Sequence, residues 1–183
     1  MDSANDIDPE ILTRVRRLQA EVSHQSEIIS QRLGSLLVCQ LGCHDCCVDD
    51  LAVFPVEAEI IRQHCGPLLT FDQPHPKGKC AFLNADGACR IYPWRPYVCR
   101  TQGLPLQWLD EDESGAEIEL RDICPLNLTE MDKQKADLED LPADDCWVLG
   151  EVEGTLAGLQ VQALGGFQEK LPRVMLRDLF KSP

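Results

Sequence analysis

Apolar residues recur with helical spacing near the start of the chain. Ile11, Val15, Leu18, Val22, Ile29 and Leu36 share one face, and charged residues fill the other. The expectation is one long amphipathic helix from about Asp8 to Leu37, with Asp8 as its cap and Pro9 at the first helical position. Gln25 interrupts the apolar stripe, which favours packing within the domain over a dimerising coiled coil. A short apolar run at Leu51–Phe54 reads as a strand. Pro55 then opens a second helix through Glu57, Ile60, Ile61 and Cys65, ended by Gly66-Pro67. The stretch QPHPKGK is a turn-rich connector.

Two hairpins follow in the pattern. Cys80–Tyr92 folds about the turn Asn84-Ala85-Asp86-Gly87. Leu106–Leu120 alternates apolar and polar positions on either side of the acidic turn DEDESG. From Asp144 on the pattern is mostly helical. Val148, Val152, Thr155, Leu159 and Ala163 mark one face, and Gly150, Gly154 and Gly158 mark a second face suited to close packing. No internal repeat or low-complexity segment is present. The class is α+β, with helices at both ends flanking short antiparallel strands.

At 183 residues with 44% hydrophobic content, the chain can bury a core without disulfide staples. Its 31 acidic residues against 17 basic ones give a formal charge of −14, which repels phosphate backbones and argues against a nucleic-acid partner. The polar, acidic start MDSANDIDPE lacks the character of a signal peptide. The most apolar stretch, near Cys146–Gly166, is interrupted by Glu151 and Glu153, so no membrane span is expected and the expected address is the cytosol.

Ten cysteines in that setting change the picture. Five disulfides are disfavoured by a reducing compartment and by crowding. Cys39, Cys43, Cys46 and Cys47 fall within nine residues, and the adjacent pair Cys46–Cys47 could bond only with strain. Metal ligation accounts better for them. Thiolates two or three residues apart can converge on one ion through a tight turn. A second group is Cys80, Cys89 and Cys99: the hairpin brings the first two together, and the Pro93/Pro96 turn can return the third. The predicted architecture is therefore a small metal-centred domain. Residues 1–38 are an N-terminal helix, 39–125 the cysteine-cluster domain, and 126–183 a C-terminal helical extension packed on it.

The run CQLGCHDCC, then Cys80-Ala81-Phe82-Leu83, then GACRIYPWRPYVCR resembles the YkgJ-type cysteine-cluster family, a zinc- or iron-chelating domain. That family shares a C-x3-C-x2-C-C element, a C-x-F-L element and a C-x-I-Y-x-x-R-P-x-x-C-R element. The resemblance covers Cys39 to about Arg100, with a possible extension to Cys124. It implies Cys39, Cys43, Cys46, Cys47, Cys80, Cys89 and Cys99 as metal ligands. The chain departs from the family at Phe54-Pro55-Val56-Glu57, where members often place Leu-Thr ahead of the Glu; only a helix cap is obviously lost. The family is similar to the cysteine-rich part of flagellin lysine methylases, and most members have no assigned reaction.

Cys65 and Cys146 lie outside the pattern and read as small buried hydrophobes. Cys124, in Ile123-Cys124-Pro125, stays open between ligand and bystander and is carried with the ligands, since a Cys-Pro pair often borders metal clusters. His44 is the one histidine inside the cluster loop and reads as exposed; His24, His64 and His75 have no evident role. An all-sulfur set tips the choice toward an iron–sulfur cluster, with zinc the alternative. The spacing C-x3-C-x2-C also occurs in radical S-adenosylmethionine enzymes, but this chain is too short for their barrel and lacks its repeat.

Residues Gln73–Leu109 carry a local charge of +4 within a chain of −14. Arg90, Arg95 and Arg100 are thus candidates to offset thiolate charge at a cofactor or to clamp an anion, with Tyr92, Trp94 and Tyr97 packing around them. No P-loop, G-x-G-x-x-G or Ser-His-Asp pattern occurs. Two function classes remain. One is a metal-binding protein with a structural or electron-transferring centre; the other is a redox or S-adenosylmethionine-dependent methyl-transfer enzyme that uses the cluster as cofactor.

Overall fold

In the computed structural model, residues 7–39 and 42–180 are described. Helix α1 spans Pro9–Leu33; Asp8 caps it by accepting the Glu10 amide at 2.8 Å, and Pro9 occupies the first turn. A 3-10 turn, Gly34–Leu36, continues it. Residues 1–6, the start of the predicted N-terminal unit, lie outside the described residues. The buried stripe is Ile11, Val15, Val22, Ile29 and Leu33, with Gln19 and Ser26 filling its gaps. Gln25 is exposed and donates to Glu21, so the polar interruption of the stripe falls at Gln19 and Ser26 instead. That face packs against α2 (Pro55–Phe71), α3 (Tyr97–Arg100) and α5 (Glu151–Ala163).

Strand β1 is Ala52–Val53 and helix α2 is Pro55–Phe71. The helix does not stop at Gly66-Pro67. It kinks at Cys65 (φ −120°, ψ 17°), because Pro67 offers no amide and its ring crowds the preceding turn, and it then resumes to Phe71. α2 is the wall between two cores. Val56 and Ile60 face the core built on α1 and α5, while Ala58, Ile61, Cys65 and Leu69 face one built on Phe82, Ile91, Leu176 and Leu179. Ile60 and Ile61 are each fully buried, so each contributes about 1.5–3 kcal/mol by transfer from water.

The predicted Cys80–Tyr92 hairpin reduces to a single bridge, Leu83 to Cys89. Asn84 builds the expected turn by accepting the amides of Asp86 and Ala88. The Cys80 amide, however, donates to Cys47 O at 2.9 Å, which diverts that arm into the cysteine loop before a ladder can form. A 3-10 turn, Tyr92–Trp94, leads to the short helix α3, Tyr97–Arg100.

The second hairpin forms as expected. β2 (Leu106–Glu111) pairs antiparallel with β3 (Glu117–Asp122), and the Asp112 carboxylate accepts the Ser114 and Ala116 amides in the turn. An unforeseen helix, α4, runs Pro125–Lys133. Val148 belongs to β4 (Trp147–Val148), which pairs parallel with β2, and not to a helix. Helix α5 spans Glu151–Ala163 and buries Leu156, Leu159 and Gln160; Thr155 is exposed. A methyl group added at Gly154 or Gly158 would meet nothing within 4 Å, so the small-residue face packs on nothing closely. The chain ends in β5 (Val174–Met175), antiparallel to β1, and a 3-10 turn to Phe180. This is an α+β fold. Among the described residues no helix is long and apolar enough to cross a membrane.

Candidate metal centre

The cysteine loop is held from both sides. Within it, the Cys47 amide donates to His44 O and the Val48 amide to Cys46 O. Outside it, Asp49 pairs with Arg177 and accepts the Gly78 amide at 3.0 Å, while Arg177 donates to the carbonyls of His75, Pro76 and Lys79. His44 rests on the turn at Gly87, where an added Cβ would come within 2.3 Å of its ring. Its Nδ1 is buried without a partner, and His44 is not in the wall of the cavity described next.

Cys39, Cys43, Cys46, Cys47, Cys80, Cys89 and Cys99 all line one cavity of about 480 Å³. Cys124 lines an adjoining pocket of about 440 Å³ that shares Cys46 as a wall. Cys65 and Cys146 are buried and line neither. Among the described residues, no three His, Cys, Asp or Glu side chains meet at one point where they could hold a metal ion; the thiols surround the space.

Crowded sulfurs resist ionising together. Burial, then the charges of Cys43, Cys46 and Cys124, push Cys39 up to about 12. Burial, then Cys80 and Cys89, raise Cys99. Burial is also the main reason that Cys80 and Cys89 are raised. In the adjacent pair, a hydrogen bond from Cys47 lowers Cys46 to about 6, and the same bond raises Cys47, so the pair keeps one proton on Cys47. A soft cation would supply the missing positive charge and draw the thiolates in. Seven thiols in one wall that contains no imidazole fit zinc or iron.

Cys99 sits on α3, and a buried carboxylate fixes that helix. Glu57, 4% exposed, accepts the Tyr97 amide at 2.8 Å and Gln19 Nε2 at 3.2 Å. Desolvation raises its pKa. Sequence reading marked Glu57 as a helical position and as the Glu of the family pattern, and neither signal showed that it is buried against α3. Asn127 was equally hidden. It is fully buried, accepts the Val38 amide at 2.8 Å and donates to Gly103 O at 2.6 Å, tying α4 to the backbone beside Cys39.

The three candidate arginines separate. Arg95 and Arg100 line the cavity. Arg95 donates to Cys99 O and Tyr92 O and stacks on Tyr92. Arg100 reaches Ser23 Oγ at 2.7 Å, and its Nε is buried without a partner; burial, with Arg95 nearby, lowers it to about 10. Arg90 does not line the cavity. It donates to the carbonyls of Gln73, Ala81 and Phe82 and pairs with Asp72. Tyr92 also lines the cavity; Trp94 stacks on His64 at 3.6 Å, and the Tyr97 hydroxyl accepts from Trp147.

Residues 38–125 match the model of the CxxCxxCC family, described as "Putative zinc- or iron-chelating domain". In this chain three residues separate the first two cysteines of that motif. No curated protein and no solved structure matches the chain.

Proposed function

We propose, from the premise that residues 38–125 belong to the cysteine-cluster chelating-domain family, that this chain holds a metal centre through its thiolates in a structural or electron-transferring role. The observation that carries this reading is the shared wall: seven cysteines from three separate segments face one cavity of about 480 Å³. The ligands are Cys39, Cys43, Cys46, Cys47, Cys80, Cys89 and Cys99, with Cys124 beside them. Arg95 and Arg100 act as outer partners that offset thiolate charge. The absence of imidazole from the wall, and a space larger than one tetrahedral ion needs, support an iron–sulfur cluster over zinc.

The test is anaerobic purification followed by metal and acid-labile sulfide analysis and an absorption spectrum. Iron with sulfide and broad visible absorption is the expected result. Colourless protein with stoichiometric zinc would overturn the iron–sulfur choice, and metal-free folded protein would overturn the whole reading.

A second reading draws on the same cavity. Its wall continues past the thiols to Ser23, Ser26, Tyr92, Arg95 and Arg100, which leaves room for another molecule beside the metal. That supports a redox or methyl-transfer enzyme with the centre as cofactor. The charge of −14 argues against nucleic acid as a partner.

A further inference from the structure

Eight candidate thiols are twice the number one tetrahedral centre takes, and the fold sorts them into two sets. The first set gathers on backbone from the second core. The Cys80 amide donates to Cys47 O at 2.9 Å, so those two cysteines are neighbours across the loop. Cys89 is brought back beside Cys80 by the Leu83–Cys89 bridge. Cys47 and Cys89 pack, with Cys80, against the core formed by Ile61, Phe82 and Leu176. Cys99 faces the same cavity from α3, where Glu57 holds the Tyr97 amide.

The second set gathers around Asn127. This side chain is fully buried and binds the Val38 amide on one side and Gly103 O on the other, while the residue's backbone N–H donates to Cys124 O at 2.9 Å in the first turn of α4. One residue thus fastens the backbone next to Cys39, the turn after Cys99 and the start of α4 at Cys124. The fit is close enough that a Cβ on Gly103 would lie 2.6 Å from Cys39 Sγ. Cys43 shares the cavity wall with Cys39, and Cys46 lines both the cavity and the pocket that Cys124 faces.

We infer that the eight thiols form two four-thiolate metal sites. The inner site is Cys47, Cys80, Cys89 and Cys99, and the outer site is Cys39, Cys43, Cys46 and Cys124, with the adjacent pair Cys46–Cys47 dividing between them. This rests on the proposal that the thiolates hold metal, and it adds their number and partition. It also gives Cys124 a role that local spacing leaves open.

The experiment counts metal and sulfide per chain in anaerobically purified protein and in cysteine variants, with far-UV circular dichroism as the check on folding. The wild-type chain should carry two equal units, either two zinc ions or two clusters. Cys39→Ser and Cys124→Ser should each lose about half of the metal, and the double variant should lose that same half and no more. Cys80→Ser and Cys99→Ser should each lose the other half, and Cys39→Ser/Cys80→Ser should lose all of it. Cys65→Ala should keep both units. Cys80 lies in the core, so if its variants fail to fold, the Cys39 and Cys124 pair still decides the matter. A single unit per wild-type chain, full metal in Cys124→Ser, or complete loss in a folded Cys39→Ser would overturn the partition while leaving thiolate binding intact. A wild-type chain with no metal would overturn both readings together.

Discussion

Asn127 ties α4 to the backbone beside Cys39 and to Gly103, and Asn127→Ala measures that link. The substitution removes two hydrogen bonds, to the Val38 amide and to Gly103 O, in a position with no exposure to water. A typical bond contributes about 0.5–1.5 kcal/mol net, but a buried donor or acceptor left without a partner costs about 1–3 kcal/mol. Two such orphans set the expected loss at about 2–6 kcal/mol. For a chain of this size each kcal/mol lowers Tm by about 2–4 °C, so the melting point should fall by at least about 4 °C and by up to about 24 °C. Urea unfolding of the anaerobic protein measures the loss directly. Asn127→Asp separates geometry from charge. It keeps an acceptor for Val38 but sets a carboxylate against the Gly103 carbonyl, so it should be at least as unstable as the Ala variant near neutral pH and recover in acid. A loss below about 1 kcal/mol for Asn127→Ala, or an Asp variant as stable as wild type at neutral pH, would refute the role assigned to this side chain.

Three further perturbations test other parts of the argument. Burial raises the Glu57 pKa above the ordinary carboxyl range, so its stabilising share is present below the unfolded value and is lost as pH rises through the folded one. Glu57→Gln keeps an oxygen for Gln19 and Tyr97, so urea melts should show its stability advantage over wild type growing from acid toward neutral pH; an advantage that shrinks would contradict this. Gly103 has φ +90°, and an added Cβ would lie 2.6 Å from Cys39 Sγ. Gly103→Ala should therefore cost at least about 1–2 kcal/mol and reduce metal content, and unchanged metal content would show that Cys39 has room to move. Arg95→Gln or Arg100→Gln should weaken metal binding by about ten- to a hundredfold in chelator competition. Full metal occupancy in both variants would point instead to an anion pocket, because among the described residues neither arginine forms an ion pair.

What the sequence made legible was whatever neighbouring residues decide. Helix α1 follows from a cap, a proline and a stripe, and the β2–β3 hairpin follows from alternation around one acidic turn. Prediction failed where a distant partner competes with the local pattern. The Cys80 arm leaves its hairpin because Cys47 O takes its amide from a loop 33 positions away in sequence. The end of α2 was read from Pro67, yet packing of Leu69 into the second core carries the helix past the kink. Helix α4 stayed hidden because Cys124-Pro125 reads equally as a cluster border and as a helix start; only its Pro at the first position signalled the latter. The site divides the same way. Spacing alone grouped Cys39 with Cys43, Cys46 and Cys47, and all four line one cavity, but spacing leaves their neighbours from other segments unread. Hydrogen bonds to Cys47 O and at Asn127 supply those neighbours, placing Cys80 beside Cys47 and the start of α4 beside the backbone at Cys39. A buried asparagine carries no periodic signature, so the residue that ties the backbone beside Cys39 to Gly103 is one that sequence pattern does not mark.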